Sequence, residues 1–269
     1  MSTIESVTKK TIEDFGEQWQ VFRANPGFYG STGLLHDVMG PLMSQDELRG
    51  ARVAEIGSGT GRIVNMLLNA GVAHVYALEP SSAMDVMREN MRARAQQITY
   101  LQVPGDELPD DLNLDYIFSI GVIHHIPDPL PVLKRAYDAL KPGGKLLIWL
   151  YGKEGNETYL RFVEPLRKIT KQLPHWALLS LAGILYVFLE LYILLCQLIP
   201  LPMHVYMKNV LGRFPQKTRV MTIYDQLNPA YAKYYYKHEA QELVEQAGFT
   251  NVRLFHRHGY SWTVVGEKQ

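Results

Sequence analysis

The stretch Arg52-Val53-Ala54-Glu55-Ile56-Gly57-Ser58-Gly59-Thr60-Gly61 limits the fold more than any other part of this chain. Its apolar residues predict a buried strand and its glycines a tight turn. Gly61–Asn69, with apolar Ile63, Val64, Met66, Leu67 and Leu68, predicts a helix. Further strands are expected at His74–Leu78, Ile98–Gln102, Leu114–Ile120 and Lys145–Tyr151. Helices are expected at Ser82–Ala95 and Leu130–Leu140, the second stopped by Lys141-Pro142-Gly143-Gly144. Short strands alternating with helices imply an α/β fold with a doubly wound, mostly parallel sheet. Towards the end, His238–Ala247 reads as a helix closed by Gly248, and Asn251–His256 and Ser261–Val265 as strands. Only the short turn around His258-Gly259 joins those strands, so they form an antiparallel hairpin.

A glycine-rich turn between strand and helix brings backbone N–H groups and a helix N-terminus close to a ligand. The spacing of Gly57, Gly59 and Gly61 is G-x-G-x-G, whereas nicotinamide and flavin enzymes use G-x-G-x-x-G. Glu55 sits at the strand end, before the glycines. A loop that grips phosphate does not need a carboxylate there, but a loop that grips an amino acid's ammonium group does. The ligand this suggests is a nucleoside with an amino-acid tail, S-adenosylmethionine. Glu79 ends the second strand, where an acidic side chain can accept both ribose hydroxyls. Gly105-Asp106-Glu107-Leu108-Pro109 follows the third, where a carboxylate can accept from the adenine amino group. The fourth strand leads into Gly121-Val122-Ile123-His124-His125, at the sheet edge where open α/β sheets bind ligands. Singly, these are an ordinary surface Glu, a polar turn and a loop; in order, they describe one site.

Residues 50–151 resemble the core of the class I S-adenosylmethionine-dependent methyltransferases. The resemblance rests on Glu55-Ile56-Gly57-Ser58-Gly59-Thr60-Gly61, Leu78-Glu79-Pro80-Ser81, Gly105-Asp106-Glu107-Leu108-Pro109, Asp115-Tyr116-Ile117-Phe118-Ser119 and Leu140-Lys141-Pro142-Gly143-Gly144. The terminal helix and hairpin match the end of the same fold. The resemblance implies a Rossmann-like, seven-stranded sheet with one antiparallel strand. It places Glu55, Gly57 and Gly59 near the methionine part, Glu79 at the ribose, Asp106 at the adenine and Ser119 close by. Residues 152–235 lie outside it.

Methyl transfer is an in-line displacement, so alignment is much of the protein's contribution. A hydroxyl nucleophile also needs a general base. His124 and His125 are the candidates, with a helix cap or a backbone hydrogen-bond partner as the structural alternative. His256, Arg257 and His258 are adjacent on a strand and point to opposite faces, so no metal site is expected. Cys196 lies within an apolar helix and reads as packing. The aromatic residues Phe15, Trp19, Phe22, Phe28 and Tyr29 precede the core, and residues 1–49 read as a helical cap segment. The chain's 269 residues, 47% hydrophobic, suffice for one large domain with an insertion. Formal charge is zero, so a nucleic-acid partner is not expected. A polar N-terminus without an apolar stretch and a lone cysteine fit a cytoplasmic protein.

The core is read as residues 50–151 and 237–269, and residues 152–236 as a helical insertion after strand five that roofs the substrate site. Trp176–Ile199 is long and apolar enough to span a membrane. A single crossing would put parts of one sheet on opposite sides of a bilayer, and Met203–Leu211 is too short and polar to return. Ser180, Gly183, Val187, Glu190, Leu194 and Gln197 form one narrow stripe with nearly all the small and polar residues. Arg161, Arg167, Lys168 and Lys171 flank the helix on one side, and Lys208, Arg213, Lys217 and Arg219 on the other. Such a helix either lies peripherally on an anionic membrane or serves as a buried lid or homodimer helix. Tyr224, Tyr231, Tyr234, Tyr235 and Tyr236, with Asp225, Asn228 and His238, suit a partly apolar pocket or pack the returning chain, and Asn228-Pro229 reads as a turn. The expected activity is methylation of a hydrophobic or lipid-like small molecule. The alternatives are a polar small molecule or glycoconjugate, or a non-catalytic cofactor-binding module.

Overall fold

The computed structural model describes residues 3–170, 172–228 and 230–269. Met1, Ser2, the basic-flank residue Lys171 and the turn residue Pro229 lie outside them. The strands are β1 (Arg52–Ile56), β2 (His74–Leu78), β3 (Ile98–Leu101), β4 (Leu114–Ile120), β5 (Leu140–Tyr151), β6 (Thr250–Arg257) and β7 (Ser261–Glu267). They form one seven-stranded sheet in the order β3-β2-β1-β4-β5-β7-β6. The first five pair in parallel, while β7 runs antiparallel to both β5 and β6.

The helices are α1 (Thr3–Val21), α2 (Thr32–Met39), α3 (Arg62–Asn69), α4 (Ala83–Asn90) and α5 (Leu130–Ala139), then α6 (Glu157–Thr170), α7 (His175–Leu198), α8 (His204–Asn209), α9 (Gln216–Leu227) and α10 (Lys237–Gln246). Side chains alternate across a strand, so the sheet feeds two cores. Val53, Phe118 and Leu147 pack with residues of α2, α3 and α4, whereas Ala54, Ile117 and Ile148 pack with α5 and α10. Both faces are covered, as a mostly parallel sheet requires.

Two elements differ from their expected lengths by more than two residues. The helix from residue 82 ends at Asn90 and gives way to 3-10 turns at Arg92–Gln97, where Arg94 has non-helical backbone angles. No side chain of that segment is buried, so nothing holds it in α geometry. The fifth strand starts at Leu140, because Leu140 pairs with Leu114 before a bulge. Within the bulge, Gly143 donates to the Lys268 carbonyl and Lys268 to that of Gly144, tying the turn to the chain end.

Helices α6 to α9 follow β5, and Ile193, Val210, Phe214 and Met221 of this segment join the first core. α6 and α7 both pack on α9, around Leu178, Ala182, Tyr224 and Leu227. Within α7, Leu178, Ala182, Ile193 and Cys196 are buried, while Ser180, Gly183, Val187, Leu194 and Gln197 of the small and polar stripe are exposed. Glu190 of that stripe pairs with Arg219. The stripe is therefore largely exposed, with Glu190 at its edge turned to α9, and the packed side is apolar.

Phe118 is fully buried in β4 at the centre of the sheet. Phe118→Ala is expected to cost about 3–5 kcal/mol, read by urea unfolding. A loss below about 1 kcal/mol would show that this core is not built around it.

Candidate active site

A cavity of about 1150 Å³ lies at the carboxyl ends of β1, β2 and β4. Known small-molecule pockets run to about 1,000 Å³, so this one has room for a cofactor and a second molecule. One half is lined by Glu55, Gly57, Ser58, Gly59, Glu79 and Asp106. The other half is lined largely by α7, α8 and α9 and the turns between them, including Leu185, Leu189, Met207, Phe214 and Met221.

The glycine loop takes its shape from the backbone. The N–H groups of Gly57 and Ser58 both donate to the Leu78 carbonyl, at 2.9 and 2.8 Å. Gly57 has φ +78°, and a Cβ there would lie 2.3 Å from Val122. Gly59 has φ +50°, and its Cβ would meet the Trp19 indole at 3.2 Å. Both positions need glycine on grounds of angle and of space. Trp19 belongs to α1, which therefore covers the loop. α1 is tied down by Gln18, whose amide donates to Asp225 at 2.9 Å, and by Glu17, which pairs with His175.

Glu55 is 1% exposed, and its Oε2 has no hydrogen-bond partner among the described residues. Burial pushes its carboxyl up to about 8; Arg62 opposes this and Glu79 adds to it. A buried carboxyl with one unpartnered oxygen on a cavity wall ionises readily only when a cation meets it. The ammonium of an amino-acid ligand is such a cation, and the glycines leave space for its backbone-like tail. The donor set thus fits S-adenosylmethionine. Glu79 is more occupied than its position in sequence implies: it accepts from the N–H of Gly59 at 2.8 Å and from the N–H and hydroxyl of Ser81. It lines the cavity while bracing the glycine loop. Asp106 is exposed, in a short 3-10 turn held by Arg135 at its carbonyl.

The histidine pair separates. His125 lines the cavity, and its Nδ1 lies 2.8 Å from the Tyr231 carbonyl. A carbonyl only accepts, so Nδ1 carries the proton and Nε2 keeps a lone pair. Burial lowers the His125 pKa below the usual histidine value, although Asp225 opposes the shift. His125 is therefore neutral near pH 7. His124 is fully buried, does not line the cavity, and has both ring nitrogens without a partner among the described residues. Its ring lies 3.8 Å from that of Tyr151, and burial, then His125, drives its pKa well down. Ser119 is also off the cavity wall: its hydroxyl donates to the Ile56 carbonyl at 3.2 Å and joins β4 to β1.

Other polar residues at the cavity are not signalled by any motif. Tyr151 donates to Asp225 at 3.2 Å and accepts from Gln226 at 2.8 Å. Arg257 is buried and pairs with Asp37, which also meets His258 at 2.8 Å. These partners come from distant parts of the chain, so only the tertiary fold joins them. No cluster of metal-ligating side chains occurs among the described residues.

A methyltransferase-domain family model matches residues 54–146. Phosphoethanolamine N-methyltransferase 2 of Caenorhabditis elegans is 35% identical over 119 residues, covering 42% of this chain and 26% of that protein. A tRNA U34 carboxymethyltransferase of Alteromonas mediterranea is 26% identical over 172 residues, covering 58% and 51%. The chain thus spans between a quarter and half of the length of these relatives. Among solved structures, the 1,6-didemethyltoxoflavin-N1-methyltransferase of Burkholderia thailandensis aligns over all of this chain and 92% of its own, with TM-score 0.56 and 14% identity. That likeness shows the shared fold. Residues 54–146 match a methyltransferase domain, and the chain has the fold of these methyltransferases. The matched segment contains the cofactor half of the cavity and the histidine pair, and it ends before α6. The methyltransferase-domain match therefore covers the cofactor half of the cavity and not the insertion half.

Glu55 makes stability depend on pH. A carboxyl at about 8 in the folded state and near 4.5 when unfolded binds more protons folded than unfolded between those values. Stability should fall as pH rises through that window, by up to about 1.4 kcal/mol per pH unit. Urea unfolding of the ligand-free protein across pH 5 to 8 should show this slope, and Glu55→Gln should flatten it. An unchanged slope in the variant would mean that Glu55 is not the group responsible.

Proposed function

We propose that this protein transfers a methyl group from S-adenosylmethionine to a hydrophobic or lipid-like small molecule. The observation that carries the reading is the two-sided cavity, with a polar half at the glycine loop and an apolar half from residues 152–236. In this reading residues 1–49 cap the site, residues 50–151 and 237–269 are the catalytic core, and the insertion roofs the acceptor. Glu55, Gly57 and Gly59 hold the amino-acid tail, Glu79 the ribose and Asp106 the adenine. The insertion makes contact with a membrane rather than with a nucleic acid. An apolar pocket closed by Leu185, Leu189 and Phe214 favours a small molecule, although some relatives are named for tRNA.

S-adenosylmethionine supplies an electrophilic methyl group on a sulfonium. The chain aligns the acceptor with it, which is where much of the rate arises. His125 takes the acceptor's proton on Nε2 as the new bond to methyl forms, because its other nitrogen is committed to Tyr231. Asp225 lies close enough to favour the resulting imidazolium. His124 supports this arrangement by packing on Tyr151 and does not reach the acceptor.

Incubation with methyl-labelled S-adenosylmethionine and a lipid extract should label an organic-soluble product. Label appearing only in water-soluble products would overturn the acceptor class. His125→Ala is expected to slow transfer by about 10²- to 10⁴-fold with S-adenosylhomocysteine still bound, as for loss of a general base. His124→Phe should retain most activity, and equal losses in the two variants would contradict the division of roles.

A further inference from the structure

The outer face of α7 has no partner among the described residues. At 3.6 residues per turn, Trp176, Ile184, Phe188, Leu191, Leu195 and Leu198 fall on one side, opposite the packed residues Leu178, Ala182, Leu185, Leu189, Ile193 and Cys196. The outer residues are well exposed, with Phe188 at 65%, Trp176 at 72% and Leu198 at 76%. A soluble monomer seldom exposes so continuous an apolar surface. α7 is also the one described helix long and apolar enough to cross a bilayer.

Topology forbids the crossing. β5 leads into the insertion and β7 comes after it, yet the two strands pair along seven residues from Lys145↔Glu267 to Tyr151↔Ser261. The chain therefore leaves the sheet and returns to it on the same side. Charge then distinguishes a bilayer from a second copy of the chain. Residues 152–236 hold ten Lys and Arg against five Asp and Glu, while the whole chain holds 27 of each, so the remainder is net −5. Arg161, Lys168, Lys208, Arg213 and Lys217 are exposed, and none is in an ion pair among the described residues. Two copies meeting through α7 would bring like charges together. An anionic lipid surface complements them, at about 1 kcal/mol per basic residue.

We infer that α7 docks flat on an anionic lipid bilayer, its outer face in the acyl boundary and its axis in the membrane plane. Its inner face, through Leu185 and Leu189, is a wall of the cavity. One helix thus separates the bilayer from the acceptor half of the site, and the acceptor is a lipid drawn from the surface on which the enzyme sits. This last step rests on the proposed methyl transfer; the docking does not.

The test is flotation of the full chain with phosphatidylcholine vesicles and with vesicles that also contain phosphatidylglycerol. Docking predicts flotation with the anionic vesicles, weakened by salt. Lys208→Ala should lower partitioning about fivefold, which corresponds to about 1 kcal/mol. Phe188→Glu should lower it by about tenfold or more, from lost apolar burial. Both variants should bind S-adenosylhomocysteine as the parent does, which separates lost docking from lost folding. Absence of flotation with either vesicle would overturn the proposal. So would a sedimenting dimer that Phe188→Glu dissolves, because the outer face would then join two copies. Flotation without labelling of any lipid would uphold docking and refute the acceptor class.

Discussion

The antiparallel pairing of β5 with β7 is the constraint on which the rest of the molecule depends. It brings the end of the chain back beside the strand that precedes the insertion. Whatever lies between must start and finish at one edge of the sheet. That edge is also where the parallel strands present their carboxyl ends, and where open α/β sheets bind ligands. Helices α6 to α9 have little choice but to stand over the cavity, and α7 cannot pass through a membrane despite its composition. The same pairing carries Ser261 to Tyr151 and so fixes the cavity wall at its far side.

Within this frame, the two halves of the cavity obey different physics. The cofactor half consists of backbone bent by glycine and of carboxylates. Its Glu55 is buried with Oε2 unpartnered among the described residues, and a cationic group there favours the ionised form. The acceptor half consists of aliphatic and aromatic side chains around a few polar groups whose hydrogen bonds are already made, such as Tyr151 with Asp225. A first half that demands charge and a second that excludes water is a sensible division for displacement at a sulfonium. In the proposed reaction the electrophile is fixed by electrostatics and the acceptor by shape.

The parts of this fold legible in the sequence are those set by local pattern. β2 and β4 have the expected bounds because their apolar runs are cut off by glycine or proline nearby. The G-x-G-x-G turn is legible because only glycine tolerates φ near +78° with Val122 behind it. The parts that were not legible depend on contacts across the chain. Ser119 follows the right strand, but its hydroxyl is held by the Ile56 carbonyl instead of facing the cavity. His124 and His125 are neighbours with similar sequence surroundings, and only the packing of Tyr151 on one and the Tyr231 carbonyl on the other tells them apart. The ties of Gln18 to Asp225 and of Asp37 to Arg257 join residues about 200 apart or more, beyond any periodicity.

The central claim is that one cavity holds the methyl donor by its ammonium at Glu55 and leaves an apolar volume beside its sulfur. A crystal structure of the protein with S-adenosylhomocysteine tests it most directly. The account predicts the ligand's amino group within hydrogen-bond distance of Glu55 Oε2, the adenine at Asp106, and the sulfur facing the open space between His125 and the insertion helices. A ligand whose amino group avoids Glu55, or whose sulfur is walled off from that space, would contradict it.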